Sequence, residues 1–191
     1  MTSIGIIIGS TRPGRNAEQV GRWVHEIASR RTDAHYEVLD IADFNLPLLD
    51  EPMPPSLGNY AHPHTRHWAA AIAGCDGFVF VTPEYNHGIP AALKNAIDFV
   101  YAEWNNKSAG FVSFGSAAGV RAVEHLRGVM AELQVADVRA QVSLGLYTDF
   151  ENYTVFRPSP HHQPLLDTML TQVVSWAQAL KPLRQPQELI G

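Results

Sequence analysis

The chain has 191 residues, 46% of them hydrophobic, and carries 14 Lys and Arg against 19 Asp and Glu, a net charge of −5 at pH 7. That balance excludes a protein built around a polyanion such as nucleic acid, and no apolar run nears the ~18 residues of a membrane-spanning helix. Met1-Thr2-Ser3-Ile4 lacks the basic region of a secretory signal and the lone Cys75 rules out an internal disulfide framework, so one globular domain over 1–191 in a reducing cytoplasm is expected.

Pro and Gly punctuate alternating strand-like and helix-like segments. Ile4 to Gly9 is a short β-branched apolar run ending in glycine, as in a strand buried on both faces. Val20, Trp23, Val24, Ile27 and Ala28 then recur at the spacing of a helix with one buried face. His35 to Leu39 reads as a second strand, and Asp40 to Tyr60, rich in Pro and acidic residues, as a long surface loop of the kind used as a lid or interface. Ala61 to Gly74 reads as a helix, Gly77 to Thr82 as a third strand stopped by Pro83, and Pro90 as the first-turn proline of a helix whose stripe is Leu93, Ala96, Ile97 and Val100. Lys107 to Phe114 is a fourth strand. Leu126, Val129, Met130 and Leu133 mark a fourth helix, and Asp137 to Leu146 a fifth strand. After an irregular stretch from Tyr147 to Pro164, Leu166, Met169, Leu170, Val173, Ala177 and Leu180 form the last helical stripe. Five strands alternating with five helices predict an α/β fold, a doubly wound parallel sheet with helices on both faces.

In such sheets ligands bind at the carboxyl ends of the strands, near the reversal of strand order. The loops after strands one, three and four are therefore the ones to inspect. The first, Gly9-Ser10-Thr11-Arg12-Pro13-Gly14-Arg15-Asn16, lies between a strand and a helix N-terminus, where free N–H groups and the helix dipole favour a phosphate and the two arginines add donors. Arg15-Asn16 stands where a P-loop needs Lys and then Ser or Thr, which disfavours a nucleoside triphosphatase, and no Gly-x-Gly-x-x-Gly fingerprint is present. The second, Pro83 to Pro90, mixes an aromatic, amides and a glycine; the third, Ser113 to Gly119, is small and glycine-rich. A flat heteroaromatic ligand asks for apolar surface on its faces and a few hydrogen bonds at its edge.

Gly9-Ser10-Thr11-Arg12 with Asn16, and Pro-Glu-Tyr-Asn-x-Gly-x-Pro-x-x-Leu-Lys-Asn-Ala-Ile-Asp over Pro83 to Asp98, resemble the NADPH-dependent FMN reductase family of flavodoxin-like proteins, over about residues 3 to 142. The resemblance implies a flavodoxin-like sheet of order 2-1-3-4-5 and a bound FMN. Its phosphate would sit on Ser10, Arg12, Arg15 and Asn16. Its isoalloxazine would lie against Pro83, Glu84, Tyr85, Asn86, His87 and Gly88, flanked by Ser113, Phe114, Gly115 and Ser116. It further implies hydride transfer from NADPH or NADH, then release to a quinone, flavin, azo or metal-ion acceptor in a ping-pong cycle that needs no protein acid or base, and a homodimer or dimer of dimers without nucleic-acid or membrane partners. A flavodoxin-like electron carrier or redox-regulated binding protein holding FMN is the alternative, disfavoured by the modest acidity and the arginines of the phosphate loop.

Other clusters read as structural. His62, His64 and His67 lack a Cys or carboxylate at metal-site spacing and are expected to be solvated helix-start residues, as are His161 and His162, so no metal is predicted. Cys75 is expected to be inert and part-buried, Glu84 to organise its loop or cap backbone, and Trp104 to be either core or part of a dimer patch.

Overall fold

The computed structural model describes residues 1–184. Five strands, β1 (Ser3–Ile8), β2 (His35–Asp40), β3 (Gly77–Pro83), β4 (Lys107–Gly115) and β5 (Val135–Gly145), form a parallel sheet in the order β2-β1-β3-β4-β5. Between and after them run α1 (Ala17–Ala28), α2 (Pro63–Ala73), α3 (Ala91–Asp98), α4 (Val120–Glu132) and α5 (His162–Leu180). This is the expected flavodoxin-like arrangement, with strand order reversing next to β1. No helix among the described residues is long and apolar enough to cross a membrane.

Because side chains alternate across a strand, the central β3, buried at every residue, feeds two separate cores. Val79 and Val81 join Val20, Val24 and Ile27 of α1 and Leu166, Met169, Leu170 and Val173 of α5. Phe78 and Phe80 join Trp68 and Ile72 of α2, Leu93 and Ile97 of α3, and Leu126 and Met130 of α4. Trp104 belongs to this second core: it is fully buried and its indole N–H donates to the Ile97 carbonyl at 3.1 Å, so it contributes no dimer patch. Gly110 is where α5 comes closest to β4; a Cβ there would lie 2.8 Å from Val173 Cγ2.

The sequence reading needs correcting in the later part of the chain. β5 starts at Val135, because Val135 and Ala136 pair with Lys107 and Ser108 before a register shift between Ala109 and Phe111. The stretch from Tyr147 to Pro164 is not irregular throughout. It contains an antiparallel hairpin, β6 (Phe150–Glu151) with β7 (Val155–Phe156). α5 begins at His162, placing Pro164 in its first turn, where the missing N–H costs nothing. His162 is buried rather than solvated. The loop after β2 includes two short 3-10 turns, Ile41–Phe44 and Pro55–Leu57.

Lys107, at the start of β4, is buried and donates from Nζ to the Ile72 carbonyl at 2.6 Å, so an ammonium group satisfies the C-terminal end of α2. Burial pushes its pKa down from 10.5 to about 8. Between those values the unfolded chain holds more protons than the folded one, so this group makes stability rise with pH. The melting temperature of the wild type relative to Lys107→Met should therefore climb from about pH 8 to about pH 10; a difference that stays flat in thermal melts across that range would contradict the assignment.

Candidate functional site

The loop after β1 is anchored by Gly9, whose N–H donates to the Val81 carbonyl at 2.8 Å. Ser10 is buried, its Oγ 3.0 Å from the Tyr85 hydroxyl oxygen, which ties the first loop to the second. Gly14, at φ +68°, makes the left-handed turn into α1. Asn16 occupies the cap position of α1 but makes no side-chain cap hydrogen bond, leaving the first-turn N–H groups to other acceptors. The predicted phosphate residues then divide. Arg12 is exposed and forms no ion pair among the described residues. Arg15 points inward, its Nη2 2.7 Å from Glu18 and 2.5 Å from Asp40, while its buried Nε has no partner among the described residues. Burial raises the Asp40 carboxyl above its ordinary range, and Arg15 opposes that rise.

Two hydrogen bonds, Tyr85 N–H to the Gly88 carbonyl at 2.9 Å and Gly88 N–H to the Tyr85 carbonyl at 3.0 Å, close the second loop into a tight turn. Asn86 (φ 50°) and His87 (φ 67°) both take left-handed conformations, which exposes their side chains. Glu84 fixes the turn from below. Its N–H donates to the Phe114 carbonyl at 3.0 Å. Its carboxylate accepts from the Arg121 backbone N–H at 3.1 Å, the Arg121 Nε at 2.6 Å and the Ala122 N–H at 3.4 Å. Burial alone would raise the Glu84 pKa, but the Arg121 side chain and the two N–H groups outweigh it and hold the carboxyl below its usual range. Glu84 is thus the N-terminal anchor of α4, an organising role and not that of a general base.

In the third loop Ser113 Oγ donates to the Ala118 carbonyl at 2.8 Å and the Ala118 N–H donates to Gly115 O at 3.0 Å. Gly119, at φ +73°, leads into α4 at a point where a Cβ would lie 2.7 Å from Ser113 Cβ. Ser116 is exposed.

These loops meet around a cavity of about 320 Å³. Of the predicted residues, Arg12, Arg15, Asn16, Pro83, Glu84, Tyr85, Phe114 and Gly115 line it. Ser10, Asn86, His87, Gly88, Ser113 and Ser116 do not; they lie beneath the lining residues or on the loop tips. Leu146, Tyr153 and Thr154 complete the lining and were not predicted. Leu146 directly follows β5, while Tyr153 and Thr154 arrive on the β6–β7 hairpin, which crosses to α1: Asn16 Nδ2 donates to the Tyr153 carbonyl at 2.8 Å and Gln19 Nε2 to the Thr154 carbonyl at 2.7 Å. A sequence signal for it existed in Phe150, Val155 and Phe156 around the turn-forming Asn152.

The remaining clusters lie outside the lining of this cavity. Cys75 is buried, which pushes its thiol up to about 12 and makes it unreactive. His62 and His64 are half-exposed at the start of α2, with their rings stacked at 5.2 Å and His64 Nε2 3.0 Å from Asp50 Oδ1. Among the described residues no three His, Cys, Asp or Glu side chains are grouped to hold a metal ion.

The model of the NADPH-dependent FMN reductase family matches residues 2–149. An NAD(P)H-dependent FMN reductase of Schizosaccharomyces pombe is 41% identical over 146 residues, covering 75% of this chain and 73% of the relative. A quinone reductase of Escherichia coli strain K12 is 33% identical over 133 residues, covering 66% and 68%. Among solved structures, the flavoenzyme NAD(P)H:(acceptor) oxidoreductase FerB of Paracoccus denitrificans has the same fold, with a TM-score of 0.72 at 17% identity over 94% of this chain and 98% of that one. A site assembled from the three loops of a 2-1-3-4-5 sheet and a sequence match over residues 2–149 agree: the chain belongs to the NADPH-dependent FMN reductase family.

Proposed function

We propose that the chain is an FMN-dependent NAD(P)H oxidoreductase that holds the flavin between its three loops and serves small-molecule acceptors such as quinones, flavins, azo compounds or metal ions. The observation that carries this reading is the convergence of an uncapped helix N-terminus, a free guanidinium and an apolar slot in one cavity. The residues fit the cofactor. The first-turn N–H groups of α1 and Arg12 suit a phosphate dianion. Pro83, Phe114 and Leu146 offer apolar surface, and Tyr85 and Gly115 offer edges, to a flat ring. FMN, when bound, supplies the chemistry by accepting a hydride from the dihydronicotinamide and returning two electrons to the acceptor. The protein binds, orients and excludes water. Asn86, His87 and Ser116, on the loop tips, would frame the outer edge of the ring.

With one cavity serving both half-reactions, NAD(P)⁺ must leave before the acceptor enters, a ping-pong order. A second copy of the chain would bound the open side. Leu48, Leu49, Met53 and Leu57 are exposed on the loop after β2, and Pro55 and Ser56 of the same loop line a groove of about 610 Å³ between α3 and α4, which supports a homodimer or a dimer of dimers.

Purified protein should take up FMN and bleach when NADPH or NADH is added without oxygen; flavin that binds but stays oxidised would instead mark an electron carrier. Arg12→Ala should weaken FMN binding by about 1.5–3 kcal/mol, the scale of a hydrogen bond to a charged group, and unchanged affinity in a flavin-fluorescence titration would remove Arg12 from the phosphate site. Glu84→Gln keeps the shape but not the charge, so thermal stability and FMN affinity should fall together; a loss of one without the other would show that Glu84 does not couple the two loops to α4.

A further inference from the structure

The β6–β7 hairpin combines a rigid backbone with two exposed aromatic side chains. Asp149, almost fully buried at its root, accepts from the Gly145 N–H at 2.9 Å, the Thr148 hydroxyl at 2.9 Å, the Ser159 N–H at 3.0 Å and His162 Nε2 at 2.9 Å. Phe156 packs on Phe150 and, edge to face, on Trp23 of α1, with ring centroids 5.1 and 5.6 Å apart. At the tip, Asn152 (φ 50°) and Tyr153 (φ 61°) are both left-handed. For a tyrosine this is a strained conformation that persists only where the surroundings hold it. Asn16 supplies that hold by donating to the Tyr153 carbonyl.

All this anchoring does not bury the tyrosine. Tyr153 is 58% exposed and Tyr147, ahead of the hairpin, 70% exposed, yet their rings meet edge to face at 5.7 Å and 90°. Tyr153 also lines the candidate cofactor cavity. The clamped backbone at Tyr153 thus presents its ring to solvent at the edge of the cavity, with the Tyr147 ring set against it.

We propose that Tyr147 and Tyr153 form an aromatic wall of the acceptor subsite that selects planar ring acceptors, of the quinone class, over compact non-planar ones. A flat conjugated ring gains stacking or edge contacts with two pre-positioned aromatic faces at little entropic cost. An octahedral complex ion gains none. The proposal rests on the FMN reductase reading above and adds the residues that choose its acceptor.

The test is steady-state kinetics of the FMN-loaded enzyme at saturating NADPH, with p-benzoquinone and ferricyanide as acceptors, for the wild type, Tyr153→Phe, Tyr153→Ala, Tyr147→Ala and the double alanine variant. Tyr147→Ala, whose ring lies outside the cavity lining, should raise the KM for the quinone about threefold and leave the KM for ferricyanide unchanged within about twofold, and the double variant should raise the quinone KM about tenfold, the value of two aromatic contacts, with its FMN affinity read separately by fluorescence titration. Tyr153→Phe, which keeps the ring, should match the wild type in its quinone KM. Tyr147→Ala, at a largely exposed side chain, reports on the wall even if changes at Tyr153 disturb the hairpin. A quinone KM that does not move, or ferricyanide KM values that rise equally, would overturn the proposal. Failure of the wild type itself to bind FMN would overturn the function reading beneath it, so the two failures are distinct.

Discussion

A carboxylate with 4% of its side-chain surface exposed, held against the first turn of α4, ties the loop after β3 to the loop after β4. Strand ends in a parallel sheet are independent peptides unless something joins them, and the pairing of these two strands ends at Pro83 with Phe114. Glu84 makes that connection in three ways: through its own N–H to Phe114, through its carboxylate to the α4 backbone, and through the Arg121 guanidinium. With its position set, the turn at Asn86 and His87 can hold left-handed conformations that would relax in a free loop. The Tyr85 hydroxyl then reaches Ser10, so the first loop is drawn into the same network.

Electrostatics follow a similar logic of internal compensation. A chain of net charge −5 that is to hold a phosphate must keep its own carboxylates from the site. Asp40 and Glu18 lie close to α1's N-terminus, and Arg15 lies between them, bonded to both. Its guanidinium is spent on these acidic neighbours, which leaves Arg12 as the exposed positive charge on the loop. The apparent pair of phosphate-binding arginines is thus one that faces outward and one that neutralises the ground beneath it.

Sequence periodicity was enough to recover the sheet, because each strand and each helical stripe carries a hydrophobic repeat set by the face it buries, as Phe78 and Phe80 alternate with Val79 and Val81. The three loops were legible for a different reason: strand-end position and residue chemistry both mark them. The division of labour between Arg12 and Arg15 was not, since it depends on Asp40, which is remote in sequence. Nor was the hairpin's role. Two-residue strands are too short to show a period, and the residues that steer it into place, Gln19 and Asn16, belong to α1 and its start. The burial of His162 was not legible because a histidine pair ahead of a helical stripe looks solvated until its partner, Asp149, is known.

The hydrogen bond from Asn16 to Tyr153 joins residues 137 positions apart. During synthesis the loop after β1 emerges well before the hairpin that faces it. Contacts of such long range form late in folding, after the local helices and neighbouring strands. The pocket is therefore open on one side in every incomplete chain, and a ligand gripped between the first loop and the hairpin would bind, and by mass action stabilise, only chains that have docked both ends of the domain. Ligand occupancy then reports on the docking of two segments that lie far apart in the sequence.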